Sequence, residues 1–355
     1  MEGVTMMSDS SSTWLEQIRS YFESLSPQPF AAPTAPEPPA PRRLGLALGG
    51  GGGKGMAHLG VLQVLEELAV PIDLMVGSSV GGAVAVLYAA GLSFEAIREV
   101  FRGTALHRIA VPDPTRTALI GQRRREAILR QLLGDRTFAD LRMPCAVMAT
   151  DLASGRAVLI DEGPLVEALL ATTAIPSILP PVVRGDMILA DGSILNNLPV
   201  DAAQRLGAQR VIAVALNDAG PSFALAPLPD DKPMARLTLA PQQFAIAGRA
   251  LALLINQATT LQLRDNPPAL LISPAVADIP ILDMTSTKGE QAGFAAAHEL
   301  ADELLALRAW RLEPPAPLPA PAPLPAPTRP WLNLPFQMPR WGEEQVAQRT
   351  DGPQP

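Results

Sequence analysis

Leu44-Gly45-Leu46-Ala47-Leu48-Gly49-Gly50-Gly51-Gly52-Gly53-Lys54-Gly55-Met56-Ala57-His58-Leu59-Gly60-Val61-Leu62 passes from a short apolar run, through consecutive glycines, into an apolar-periodic segment. That order reads as strand, loop, helix. Successive glycines let backbone N–H groups converge on one concavity, and the positive end of the following helix adds to it. Something negative, or becoming negative, belongs there. A phosphate-binding P-loop needs Gly-x-x-x-x-Gly-Lys followed by Ser or Thr. Here Gly55 follows Gly53-Lys54, and Leu48 stands where the first Gly belongs. A dinucleotide fingerprint (GXGXXG) is met formally by Gly50, Gly52 and Gly55, with Asp73 placed as the ribose-binding acid. The third reading is an oxyanion hole.

A second strand-like run, Pro71-Ile72-Asp73-Leu74-Met75-Val76, leads into Gly77-Ser78-Ser79-Val80-Gly81-Gly82 and an apolar helix. This is Gly-x-Ser-x-Gly (GXSXG) in the strand–turn–helix context of a nucleophile elbow, with Ser79 at the helix N-terminus. A small-residue turn is the alternative. A serine nucleophile needs a base, and the three histidines, His58, His107 and His298, have no evident triad setting. A partly desolvated carboxylate can serve instead, because burial raises its pKa. Asp191 in Leu189-Ala190-Asp191-Gly192-Ser193 is the candidate; an ordinary Asp-Gly turn is the other reading of that site.

In their order and spacing, Gly50-Gly51-Gly52-Gly53-Lys54-Gly55, Gly77-Ser78-Ser79-Val80-Gly81 and Asp191-Gly192-Ser193 resemble the three motifs of the patatin-like phospholipase family. Thr150-Asp151-Leu152-Ala153-Ser154-Gly155, Ala174-Ile175-Pro176-Ser177-Ile178-Leu179-Pro180-Pro181 and Asp191 to Val200 resemble its bacterial members and the neuropathy target esterase branch. The resemblance covers about residues 42 to 310. It implies a Ser–Asp dyad, with Ser79 as nucleophile and Asp191 as base. It also implies an oxyanion hole from the backbone of Gly50, Gly51 and Gly52, with Gly55, Gly77, Gly81 and Gly192 supporting the turns. His58 is then structural. Lys54 stands where many members carry Arg, and Ser193 replaces the Gly or Ala that closes the third motif; neither change touches a reacting group.

The chain has 355 residues, 48% of them apolar, enough to bury a substantial core. A net charge of −7 and a pI near 5.1 argue against nucleic acid as a partner. The single Cys145 permits no internal disulfide, which fits a reducing, cytoplasmic compartment. The N-terminus lacks the basic and apolar regions of a secretory signal, and the clean apolar run Val80 to Leu92 is short of the ~20 residues of a membrane span.

Alternation of strands (near 44–48, 72–76, 144–150, 157–161, 187–191, 210–216 and 269–272) with helices (near 55–69, 82–90, 93–102, 123–133, 165–171, 200–206, 244–263 and 289–308) predicts an α/β protein. It is expected to have three layers, a central, mainly parallel sheet flanked by helices. Residues 218–240 read as a long loop. Arg123-Arg124-Arg125 has two readings, a contact for lipid phosphates and, the favoured one, a solvated helix face. Three segments follow: 1–41, with an amphipathic stripe at Thr13–Leu25 and a Pro/Ala-rich linker; 42–312, the hydrolase domain; and 313–355, a Pro/Ala repeat with a Trp-containing tail. The stripe and Pro330–Trp341 are either anchors for a membrane or partner, or pieces that pack on the hydrolase.

The expected activity is hydrolysis of a lipid or other acyl ester through an acyl-enzyme: a phospholipase, lysophospholipase or related carboxylic-ester hydrolase. No cofactor is implied, and no metal-ligand spacing occurs. The competing classes are a nicotinamide-dependent oxidoreductase built on the Gly50–Gly55 loop, which leaves the other two motifs unused, and a non-catalytic lipid-binding module.

Overall fold

The computed structural model describes residues 16, 19–20, 41–216, 240–280, 283 and 286–314, side chains at 106–107 and 240–245 excepted. Thr13–Leu25, the 218–240 loop and Pro330–Trp341 lie largely or wholly outside the described residues. One compact unit runs from Ala40 to Pro315.

Eight strands form one mixed sheet: β1 (Leu44–Leu48), β2 (Leu74–Ser78), β3 (Cys145–Asp151), β4 (Arg156–Ile160), β5 (Val182–Arg184), β6 (Met187–Asp191), β7 (Arg210–Val214) and β8 (Leu270–Ile272). The order is β5-β6-β3-β2-β1-β7-β8, with β4 paired to β3. β3, β2, β1, β7 and β8 run parallel; β4 and β6 are antiparallel to β3, and β5 to β6. The helices are α1 (Met56–Glu67), α2 (Val80–Ala89), α3 (Phe94–Gly103), the single turn α4 (Leu106–Ile109), α5 (Arg123–Leu133), α6 (Leu165–Thr172), α7 (Val200–Arg205), α8 (Ala240–Asp265), α9 (Thr287–Glu299) and α10 (Ala301–Leu312).

Side chains alternate across the pleat, so each sheet face has its own core. Leu44, Leu46, Leu48, Met75, Val147 and Ile212 face the larger cluster, which contains α1, α2 and α6. Ala47, Leu74, Val76, Met148 and Ala213 face a smaller cluster with Val200 and Ala203 of α7. The central strands read as unbroken apolar runs because both faces are covered. Three layers result, and the α/β expectation holds.

The final helix differs from the single segment 289–308 read in the sequence. It is two helices, with Leu300 between them. Gly293 lies so close to α1 that an added Cβ would meet Ala57 O at 1.9 Å. The turn at Leu300 then brings Leu304 and Leu307 into the core.

Candidate active site

The register of β3 explains how residues 79 and 191 meet. Parallel β2 ends with Ser78 opposite Met148, and antiparallel β6 ends with Asp191 opposite Ala149. β4 occupies the other edge of the same β3 residues, so the C-terminal ends of β2 and β6 abut on one edge. Ser79 and Asp191 therefore converge from positions 112 apart, and Ser79 Oγ donates to Asp191 Oδ2 at 2.6 Å.

Ser79 holds φ 52° and ψ −125°, a conformation that costs a non-glycine residue roughly 1–3 kcal/mol. The surrounding backbone enforces it. A Cβ on Gly77 would lie 2.4 Å from the Gly81 carbonyl carbon, and one on Gly81 would lie 2.2 Å from Leu48 O. Strand, turn and helix can cross this closely only with glycine at both places. Gly55, against Val80, and Gly192, against the Met148 backbone, occupy similar crossings. The Ser79 N–H donates to Thr172 Oγ1 at 3.0 Å. Thr150 Oγ1 donates to Asp191 O at 3.0 Å, and Ser193 N–H to Asp191 Oδ1 at 2.8 Å. Thr172 carried no signal in the sequence, and Thr150 stood there only within the block 150–155, with no role of its own.

Asp191 is buried, and this desolvation pushes its carboxyl above the usual range. Hydrogen bonds from Ser79 and from the Ser193 N–H, and the charge of Arg125, oppose that rise. Arg125 corrects the solvated-face expectation. Arg123 and Arg124 are exposed, but Arg125 is only 7% exposed, because Arg125, Leu129 and Leu133 share the inward stripe of α5. Burial lowers its guanidinium to about 10, with the Asp191 charge acting the other way.

The glycine loop lies beyond the end of β1, beside Ser79, and runs into a 3-10 turn at Gly52–Gly55. Gly50 departs from the oxyanion expectation. Its N–H donates to Asn197 O at 3.1 Å, and an added Cβ would collide with Ser193 Oγ at 2.1 Å. Its amide is therefore committed to the fold. The Gly51 and Gly52 amides have no hydrogen-bond partner among the described residues.

Two cavities meet at Ser79. One, of about 180 Å³, is bounded by Gly50, Gly51, Asp191, Lys54 and the α8 residues Leu251 and Ile255. The other, of about 70 Å³, lies among α2, α3, α5 and α6 and includes Arg125 and Thr173.

His58 sits in the core of α1, fully buried, with Nε2 donating to Gly49 O at 2.8 Å. Burial holds its pKa near 4, so it is a neutral strut beneath the loop. Asp73 removes the dinucleotide reading. It precedes β2, whereas the glycine loop follows β1, so the two lie at opposite ends of five-residue strands, roughly 16 Å apart along the sheet. Its carboxylate binds Arg311 at 2.6 and 2.7 Å and accepts from the Leu44 N–H. Among the described residues, no group of three or more His, Cys, Asp or Glu side chains is placed to hold a metal, and no helix is long and apolar enough to cross a membrane.

Residues 46–203, which contain the glycine loop, Ser79 and Asp191, match the family model described as patatin-like phospholipase. The matched stretch is similar to a patatin-like phospholipase domain. An NTE family protein of Mycobacterium tuberculosis (strain H37Rv) is 38% identical over 185 residues, 51% of each chain. Patatin-like phospholipase domain-containing protein 6 of Homo sapiens is 31% identical over 179 residues, 48% of this chain and 13% of that one. This chain thus spans about half the length of the mycobacterial relative and a small part of the human one. The crystal structure of VipD from Legionella pneumophila aligns with a TM-score of 0.47 at 15% identity, covering 74% of this chain and 67% of that one, a likeness too distant to bear on activity. The matched residues run from within β1 through β6 into α7, so every group at the Ser79–Asp191 contact lies within the matched stretch.

Proposed function

We propose that this chain is a serine lipid acyl hydrolase, a phospholipase, lysophospholipase or related carboxylic-ester hydrolase. The observation that carries the proposal is the direct 2.6 Å hydrogen bond from Ser79 Oγ to the buried Asp191, at a strained elbow beside two unpartnered glycine amides.

In the proposed reaction Asp191 takes the Ser79 proton as Oγ attacks the ester carbonyl. The amides of Gly51 and Gly52 receive the oxyanion; one such donor is worth about 3–4 kcal/mol at the transition state. The tetrahedral intermediate collapses, the C–O bond breaks, and the alcohol leaves with the proton held by Asp191. Water, deprotonated by the same carboxylate, attacks the acyl-enzyme; the acid is released and Ser79 regains its proton. A direct carboxylate–serine contact makes histidine unnecessary, and His58 is spent on Gly49.

The substrate would be met at a lipid surface in the cytoplasm. α8, which walls the larger cavity, exposes Ile246, Leu253 and Leu254, with Leu254 at 69%. Apolar residues clustered beside a site mark an interaction face. The test is labelling of the full chain by a fluorophosphonate probe, together with acid release from phosphatidylcholine vesicles. Both should be lost in Ser79→Ala. Labelling that persists in Ser79→Ala, or a folded wild type that neither labels nor hydrolyses, would sink the proposal.

A further inference from the structure

Arg125 is more buried than a cation in an apolar wall should be. Around it the small cavity is lined by Leu87, Val100, Phe101, Leu129 and Leu169. Of its five N–H donors, one is used among the described residues, by Thr173 Oγ1. Asp191 supplies an opposite charge across the site, with no hydrogen bond between the two. The hydroxyl protons nearby are committed: Thr173 donates to Leu169 O at 2.5 Å, and Thr104 to Val100 O at 2.8 Å. A buried charge without a hydrogen-bonded counter-ion is costly, and a guanidinium fork fits a planar carboxylate in bidentate fashion.

We infer that the small cavity binds the free carboxylate of a short acyl chain whose other end is the scissile ester, with Arg125 as the anion's partner. This rests on the serine-hydrolase reading of Ser79. Three features fix the ligand. The cavity borders both Ser79 and Arg125, so one short group can reach from the acyl carbon to the guanidinium. Its volume of about 70 Å³ takes roughly five to seven water-sized groups, the bulk of a glutaryl group and far less than a long fatty chain. A planar carboxylate matches the guanidinium fork with two parallel N–H···O bonds, using donors that Thr173 leaves open among the described residues. The substrate class is then an ester, or a lipid with an oxidatively shortened chain, whose acyl group ends in a carboxylate.

The experiment compares mono(4-nitrophenyl) glutarate, 4-nitrophenyl pentanoate and 4-carboxyphenyl pentanoate on the full-length wild type, Arg125→Met and Arg125→Lys. The ratio of kcat/KM between esters on one variant cancels any effect of Arg125 on the Ser79–Asp191 pair. The glutarate ester should be preferred over the pentanoate by at least about tenfold in wild type. Arg125→Met should erase that preference and Arg125→Lys retain part of it. In parallel, calorimetry should detect monomethyl glutarate binding to Ser79→Ala and none to the Ser79→Ala/Arg125→Met double variant. Equal rates in wild type, a ratio unmoved by Arg125→Met, or a preference for the alcohol-side carboxylate would overturn the inference. Arg125-dependent binding without turnover of any ester would uphold the anion site and sink the hydrolase reading. Turnover without the ratio change would do the reverse, and absence of both would sink the two together. Should Arg125→Met fail to fold, the wild-type ratio and Arg125→Lys still decide.

Discussion

His58 should make this protein acid-sensitive in a pH window that can be assigned to one side chain. The ring is fully buried, Nε2 donates to Gly49 O, and buried Nδ1 has no partner among the described residues. Protonation would place a charge on Nδ1 with nothing to receive it, which is why burial holds the pKa at about 4 rather than 6.5. The sign follows from proton uptake. Below about pH 6.5 the unfolded chain binds a proton that the native state refuses, so stability falls as pH falls, until about pH 4. At about 1.36 kcal/mol per pH unit, the whole window is worth roughly 3 kcal/mol. His58→Gln keeps an N–H donor within reach of Gly49 O and does not titrate. Urea unfolding of both proteins at several pH values between 7 and 4 should show His58→Gln losing about 3 kcal/mol less than wild type, because the carboxylate contributions are common to both. Parallel stability curves would refute the reasoning, and so would a loss confined to pH below 4.

Ser79→Ala and Asp191→Asn should each lower ester hydrolysis by about 10⁴-fold or more with the fold intact, since nucleophile and base act as a unit; a histidine variant that is dead at full solubility beside an active Asp191→Asn would reverse the assignment. The raised Asp191 pKa places the acid limb of kcat/KM above the ordinary carboxylate range, and that limb should survive substitution of His58, His107 and His298, as read from pH–rate profiles. The same rise means that ionised Asp191 costs stability as pH climbs through its native pKa, so Asp191→Asn should have the higher melting temperature at pH 7 and lose that advantage in acid. Arg311→Leu, which strands Asp73 at the far end of β2, should cost about 1–3 kcal/mol of stability in urea and leave kcat/KM on a short soluble ester unchanged.

The parts of the site that were legible in the sequence are those where backbone crowding dictates residue type. Gly77 and Gly81 read as an elbow because no side chain fits between Gly77 and the start of α2, or between Gly81 and the end of β1, and composition records such a constraint directly. The three layers were legible for a similar reason: strands buried on both faces leave continuous apolar runs. Partners decided by long-range register left no comparable trace. Thr172, which receives the Ser79 N–H, is one threonine among several, and its role exists only once α6 packs against α2 and β3. Gly50 looked interchangeable with Gly51 and Gly52, and the Asn197 carbonyl and the close approach of Ser193 tell them apart. Arg125 was misread because a run of three arginines suggests solvent. The contrary signal was its place four residues before Leu129 and eight before Leu133, which sets it with them on the inward face.

β3 does more for the chemistry than its lack of a reacting side chain suggests. By pairing parallel with β2 and then antiparallel with β6 along one edge, it sets two strand ends nose to nose. That gives a direct serine–carboxylate contact with no histidine between the two. In a triad, a histidine separates nucleophile and acid, and the acid stays ionised throughout. In the proposed reaction the acid itself gains and loses the proton, which calls for a pKa above that of a solvated carboxylate, and burial raises the Asp191 carboxyl in that direction. The charge of Arg125 and the Ser193 amide oppose it, which keeps Asp191 from passing wholly to the protonated form. Register, burial and the opposing charge thus act on one carboxylate. A change in any of the three should appear first as a displaced acid limb, before it appears as a lost fold.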